Sequence, residues 1–234
     1  MRSLLPHNLS TGNRIGKWLW RSLLILFSFL FLVRLFFLVP ARVVSGSMMP
    51  TLQIGDILLV NKTCYGLLLP FSNKKILATG LPQRGDIVLF VYPQDKHQVY
   101  LKRIIGLPGD TVLLKGHFLS VNGRKIVTRP NCIRKKNAVD HKGYHTCEGE
   151  EILSGRVHAV VFDGNALTNT ETRRFEVPAG KYFVLGDNRD HSFDSRTWGF
   201  VPDENLIGRP FVILFSWNSA LHRIDWPRMG MNVR

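Results

Sequence analysis

The sequence predicts a mainly β fold: one N-terminal transmembrane helix, then a β-rich body outside the cytoplasm that carries a smaller inserted β subdomain. Three observations carry this expectation. Residues 18–39 are almost all large and apolar. Three later stretches, "GDILLV" (55–60), "GDIVLFVY" (85–92) and "GDTVLL" (109–114), each open on a Gly-Asp turn and run into β-branched or aromatic residues, which is how a strand begins. No second stretch has the length and period of a long amphipathic helix.

The apolar run comes first. At about 1.5 Å per residue, residues 18–39 reach about 33 Å, close to the bilayer's hydrocarbon thickness of about 30 Å. Only Arg21, Ser22, Ser28 and Arg34 interrupt it, and the two arginines lie near its ends, where they can snorkel. Arg2, Arg14 and Lys17 precede it with no acidic residue. Positive residues stay inside, so 1–17 is expected in the cytoplasm and the body outside. A cleaved secretory signal is the alternative, with Val39-Pro40-Ala41 as its cleavage site. The run exceeds the roughly 7–15 residues of a signal core, which favours an uncleaved anchor.

The body is expected at 40–127 and 177–234. The intervals between its Gly-Asp entries are unequal, so they mark recurring strand starts and not a solenoid. "HFLSVNGRKI" (117–126) reads as a hairpin turning at Asn122-Gly123. "KYFVLGDN" and "RPFVILFSW" supply late strands. Residues 128–176 are polar and read as the insertion, with short strands of which "SGRVHAVVFDG" is clearest.

The net charge is +14, from 31 Lys+Arg against 17 Asp+Glu. Five of the basic residues and none of the acidic ones precede residue 41. The remaining excess suits an anionic lipid surface. No basic block is long enough for a nucleic-acid tail, so nucleic acid is not an expected partner. The three cysteines are Cys64, Cys132 and Cys147. Cys132 and Cys147 could form a disulfide, or join His141 and His145 as zinc ligands, or stay as thiols. The ligand spacing matches no common zinc finger, and an oxidising compartment favours the disulfide. No metal or cofactor is expected, and Cys64 has no assigned role.

Familiar catalytic signatures are missing: no G-x-S-x-G elbow, no H-E-x-x-H helix, no Gly-rich phosphate loop. Polar side chains instead concentrate in "GDNRDHSFDSRTWGFVP" (186–202), directly after a strand. Such a loop holds either calcium or an active site, and the EF-hand pattern is not met. "VVSGSMMPTL" (43–52) places two serines around a glycine just beyond the membrane span. In "YLKRIIGLPGD" (100–110), strand alternation puts Tyr100, Lys102 and Ile104 on one face. Lys102 either reaches solvent, as most strand lysines do, or is buried. Burial would lower its pKa and make it a base near neutral pH.

Taken together and in order after an N-terminal anchor, "SGSMMPTL", "KRIIGLPGD" and "GDNRDHSFDSRTWGFVP" closely resemble the bacterial type I signal peptidases, the Ser-Lys leader peptidases. The resemblance spans about residues 18–217, with the insertion weakly matched. It implies that Ser47 is the nucleophile and Lys102 the general base. Ser45 helps to form the oxyanion hole with the Ser47 backbone N–H, and Ser192 orients the lysine amine. Asp194 and Arg196 form a bracing ion pair, with Gly186 and Asp187 in the same support. Val43, Met48, Tyr100 and Leu101 line substrate pockets. Val44 stands where relatives often have proline. The resemblance also implies the inner (plasma) membrane, a periplasmic catalytic domain, and preprotein signal peptides as substrates, cut after small residues of Ala-X-Ala type. Membrane lipids are further expected partners, and contact with a secretion channel is left open.

The chemistry fits the residue types. A serine hydroxyl needs a base within hydrogen-bond reach, and a neutral lysine can supply it without a histidine. Two readings compete. Ser47, His191 and one of Asp187, Asp190 or Asp194 could form a Ser-His-Asp hydrolase. Alternatively, a tethered β domain could bind peptides without cutting them.

Overall fold

The computed structural model describes residues 11–68, 75–77, 79–126, 128–131, 146–163, 171–219 and 221–233. Helix α1 covers Thr11–Phe36 and is long and apolar enough to cross a membrane. It starts seven residues before the apolar run and stops short of that run's end. Pro40 explains the early stop, because the residue before a proline is pushed out of the helical region. Phe37 closes the helix by donating its N–H to Val33 O at 2.9 Å, and its own carbonyl accepts from Lys62 N at 2.9 Å. The apolar residues after it therefore enter strand β1, Leu38–Arg42.

The strands follow as β2 (Asp56–Asn61), β3 (Leu67–Leu68), β4 (Lys75–Leu77), β5 (Ile87–Val91) and β6 (Val99–Gly106). Next come β7 (Thr111–Lys115), β8 (Phe118–Val121), β9 (Arg124–Lys125), β10 (Thr128–Asn131), β11 (Thr146–Leu153) and β12 (Arg156–Asp163). The chain closes with β13 (Thr172–Glu176), β14 (Lys181–Leu185), the short helix α2 (Ser195–Trp198), β15 (Val201–Pro202), β16 (Leu206–Asn218) and β17 (Arg223–Ile224).

Among the described residues the main sheet runs β1-β2-β16-β5-β6-β14-β15, with β17 on β16. A second sheet runs β13-β7-β8-β9, and the insertion contributes β10-β11-β12. Thr172–Glu176, grouped with the insertion in the sequence, pairs with β7. Strand β5 shows why an unbroken apolar run reads as a strand here. Ile87 and Leu89 pack into one core with Val43, Met48, Leu58 and Val60. Val88 and Phe90 pack into another with Ile104, Tyr182, Val184 and Leu206. Both faces are buried, so no polar alternation is possible.

The three Gly-Asp entries share one turn. Gly55, Gly85 and Gly109 have φ of +99°, +94° and +85°, a region that favours glycine. The next residue's carboxylate accepts from the amide three residues back, at 2.9 Å for Asp56 and Gln53, 3.0 Å for Asp86 and Gln83, and 2.5 Å for Asp110 and Leu107. The aspartate amide returns a bond to the same residue's carbonyl each time. An arginine then covers each acid: Arg228 on Asp56, Arg156 and Arg209 on Asp86, Arg84 on Asp110. The β8–β9 hairpin turns at Asn122 and Gly123, with φ of 53° and 76°, the left-handed pair of a type I′ turn.

Candidate active site

The loop after β1 carries Ser47. Ser45 is extended, and Gly46–Met48 form one 3-10 turn closed by Met49 N–H donating to Gly46 O at 3.1 Å. Met48 and Leu52 are buried and pin that turn into the core behind β2. Asn188 grips it from the other side: its amide donates to Ser47 O at 3.0 Å and its side chain to Gly46 O at 3.1 Å.

Lys102 lies on β6, opposite Val88 of β5. Strand β14 joins β6 only from Arg103 onward, so the edge of β6 from Val99 to Lys102 is not paired with it. Among the described residues β1 ends the sheet order, paired only with β2. A cleft of about 580 Å³ is lined by residues 39–45, Ser47, Met48, Leu89, residues 99–102, His191, Phe193 and Ile207. Because it opens on a strand edge, Tyr100 and Leu101 both reach it although alternation puts them on opposite faces.

In this cleft Lys102 Nζ donates to Ser47 Oγ at 2.5 Å. Ser45 Oγ lies 3.3 Å from Ser47 Oγ. Lys102 is 4% exposed and Ser47 8%. Loss of water around the ammonium lowers the Lys102 pKa from 10.5 to about 8. The Asp194 and Asp187 charges oppose this fall, and Arg196 adds to it.

The loop after β14 supplies the surroundings. Asp194 caps α2 and is fully buried. Arg196 pairs with it through two bonds, at 2.7 and 2.8 Å. Asp194 also accepts from Gly186 N at 3.0 Å. Gly186 has no room for a side chain: a Cβ would overlap Ser192 Oγ and Ser47 O. Ser192 Oγ is buried there and makes no hydrogen bond among the described residues. Asp187 forms a fully buried bidentate pair with Arg103, at 2.8 and 2.7 Å, and accepts from Thr51 Oγ1 at 2.5 Å. Burial pushes the Asp187 carboxyl up, but Arg103 more than offsets this and holds it below the usual range.

The residues expected from the sequence thus gather at one place. Ser45, Ser47, Lys102, Val43, Met48, Tyr100 and Leu101 line the cleft, and Gly186, Asp187, Ser192, Asp194 and Arg196 stand behind it. Val44 is 76% exposed, so packing does not dictate the side chain at this position. His191 is exposed at the cleft mouth. Asp190 lies 4.0 Å from His117 Nδ1 in a separate pocket. Cys147 lies on β11. Cys132, His141 and His145 fall outside the described residues, and with them the expected disulfide and the zinc alternative. Sequence reasoning missed Arg103 and Asn188. Arg103 had a signal: alternation turns it to the face opposite Lys102, into the core, where a charge requires an acid. Asn188 had none, because its partner lies more than a hundred residues away.

The family model described as "Signal peptidase, peptidase S26" matches residues 15–216. A signal peptidase I from Pseudomonas fluorescens is 38% identical over 88% of this chain and 76% of its own. One from Pseudomonas aeruginosa is 37% identical over 82% and 70%. A solved signal peptidase I from Enterococcus faecalis V583 is 32% identical, covering 55% of this chain and 96% of its own, with a TM-score of 0.34.

Proposed function

This chain belongs to the signal peptidase family, peptidase S26, membrane-anchored enzymes that remove signal peptides from preproteins, and from that premise we propose that it cuts by a Ser47–Lys102 dyad. The observation that carries this reading is the 2.5 Å contact between Lys102 Nζ and Ser47 Oγ at a lysine whose pKa burial lowers to about 8.

Neutral Lys102 takes the Ser47 proton as Oγ attacks the scissile carbonyl. The developing oxyanion is met by the Ser45 hydroxyl and the Ser47 amide. Lys102, now an ammonium, protonates the leaving amine of the mature protein. A water then hydrolyses the acyl-enzyme with Lys102 again as base. Ser192 Oγ, buried beside Gly186 and without a hydrogen bond among the described residues, is the hydroxyl assigned to turn to the amine during the reaction, and Asp194 with Arg196 braces the loop that carries it. The substrate lies extended between the open edges of β1 and β6, where main-chain hydrogen bonds hold it. Val43, Met48, Tyr100 and Leu101 shape pockets for small side chains at the first and third positions before the cut.

The anchor crosses the inner membrane with residues 1–17 in the cytoplasm and the body on the outer face. Lipid contact is supported by exposed Ile54, Leu214, Trp217 and Trp226, and by the basic excess of the body. The secretion channel remains a candidate neighbour. Cys132 and Cys147 form a disulfide in that oxidising space.

The full chain in detergent, incubated with a preprotein, tests the dyad. Ser47→Ala and Lys102→Ala each abolish cleavage, and the double variant is no worse than either. His191→Ala keeps activity. Substantial cleavage by Lys102→Ala with His191 intact rejects the dyad.

A further inference from the structure

The insertion reaches the catalytic loop. On β11, Glu151 is fully buried and stands directly across from His158 of β12. Arg189 of the 186–196 loop is 4% exposed and engages both Glu151 oxygens, Nη1 to Oε1 at 2.5 Å and Nη2 to Oε2. The same guanidinium donates from Nε to Gly186 O at 3.2 Å, and Arg189 O accepts from Arg196 Nη2. Backbone bonds run alongside. Val161 of β12 donates to Asp187 O and accepts from Arg189 N, both at 2.9 Å. Between those two loop residues, Asn188 N–H bonds Ser47 O. One unbroken series of bonds therefore leads from the inserted sheet, through residues 187–189, to the loop that carries Ser47.

A buried ion pair is weak evidence for a stabilising role, since apolar residues of equal volume often serve as well. What a bidentate pair does supply is fixed orientation. Here the fixed object is the segment that carries Asp187, Asp194 and Arg196, the three charged groups that act on Lys102.

We propose that Glu151 is a positioning residue: through Arg189 it holds the 186–196 loop against the inserted sheet and so keeps Ser47 and Lys102 in cutting register. The insertion is then part of the active-site scaffold. This rests on the dyad reading above.

The test compares the full-length wild type in detergent with Glu151→Gln, which keeps the shape but removes the second acceptor and the charge. Glu150→Gln, on the exposed side of the same strand, is the control and stays at wild-type rate. Small misplacements of reacting groups cost up to about a hundredfold in rate. Glu151→Gln is expected to lower kcat about 10- to 100-fold with KM within about threefold, and to displace the midpoint of the pH–rate limb, because the charges facing Lys102 move with the loop. A variant that loses thermal stability but keeps both kcat and the midpoint overturns the proposal. A second measurement needs no variant. In the wild type, the Val161 and Arg189 amides exchange hydrogen as slowly as that of Asn188, and rapid exchange at Val161 and Arg189 alone refutes the buttress even if Glu151→Gln does not fold. Lys102→Ala separates the two readings. If it still cleaves, the dyad fails. If it is inactive while Glu151→Gln behaves as wild type, only the present inference fails.

Discussion

Replacing Lys102 by methionine should abolish cleavage and make the folded body more stable at neutral pH. The lysine is 4% exposed, and its pKa falls from 10.5 to about 8 because burial strips water from the ammonium. At about 1.4 kcal/mol per pH unit, holding the proton in the folded state costs about 3 kcal/mol. Losing the bond to Ser47 Oγ returns about 1 kcal/mol of that, leaving the methionine variant ahead by about 2 kcal/mol. The pH dependence has a definite sign. Below pH 8 both folded and unfolded chains carry the proton, and the full cost stands. Between about 8 and 10.5 the folded state releases it while the unfolded state keeps it, so wild-type stability rises with pH. Above 10.5 the cost is gone. Urea unfolding of the full chain in detergent, followed by tryptophan fluorescence at pH 7, 8, 9 and 10, reads the gap between wild type and Lys102→Met. The gap should be widest at pH 7 and close toward pH 10. A gap that is constant with pH, or a methionine variant less stable at pH 7, would falsify the picture of a destabilised, activated lysine.

Other expectations follow from the same geometry. The rate of cleavage should rise with pH about a midpoint near 8, and a profile flat from about pH 6 to 10 speaks against lysine as the base. Ser45→Ala should lower kcat by about 10²–10³ with little change in KM, since the charge it meets exists only in the transition state; steady-state kinetics showing less than a threefold drop remove Ser45 from the reaction. Asp187→Asn leaves the Arg103 guanidinium buried without its counter-charge and should cost about 3–5 kcal/mol in urea unfolding, whereas a loss below 1 kcal/mol would mean that water reaches Arg103. Gly186→Ala should be inactive even where it folds, because its methyl group meets Ser192 Oγ and Ser47 O.

The parts of the fold legible in the sequence are those written in adjacent residues. A Gly-Asp pair carries its own turn, because the glycine supplies the positive φ and the aspartate closes the bond three residues back. Asn122-Gly123 carries its hairpin for the same reason. Lys102 was suspect because its neighbours on the strand face are apolar. The end of the membrane helix was less legible, because Phe37–Val39 are as apolar as the helix before them; Pro40 marks that the helix must stop, but the pairing with β2 decides where the strand begins. Arg103 and Asp187 are 84 residues apart, and nothing local to either names the other. The link from Glu151 to Arg189 is of the same kind. A long-range pair between opposite charges becomes visible only once sheet order brings two loops to one place.

The junction at Phe37 has a mechanical consequence. Its amide is the last rung of the helix and its carbonyl the first of the sheet, so no slack residue lies between them. Strand β1 then advances about 3.3 Å per residue for five residues and delivers the chain to Ser45. Helix and edge strand thus follow one another with a single residue between them, and the nucleophile loop comes directly after. The span from the end of the apolar helix to Ser47 is therefore measured out like a ruler, by covalent distance and by the backbone bonds at Phe37.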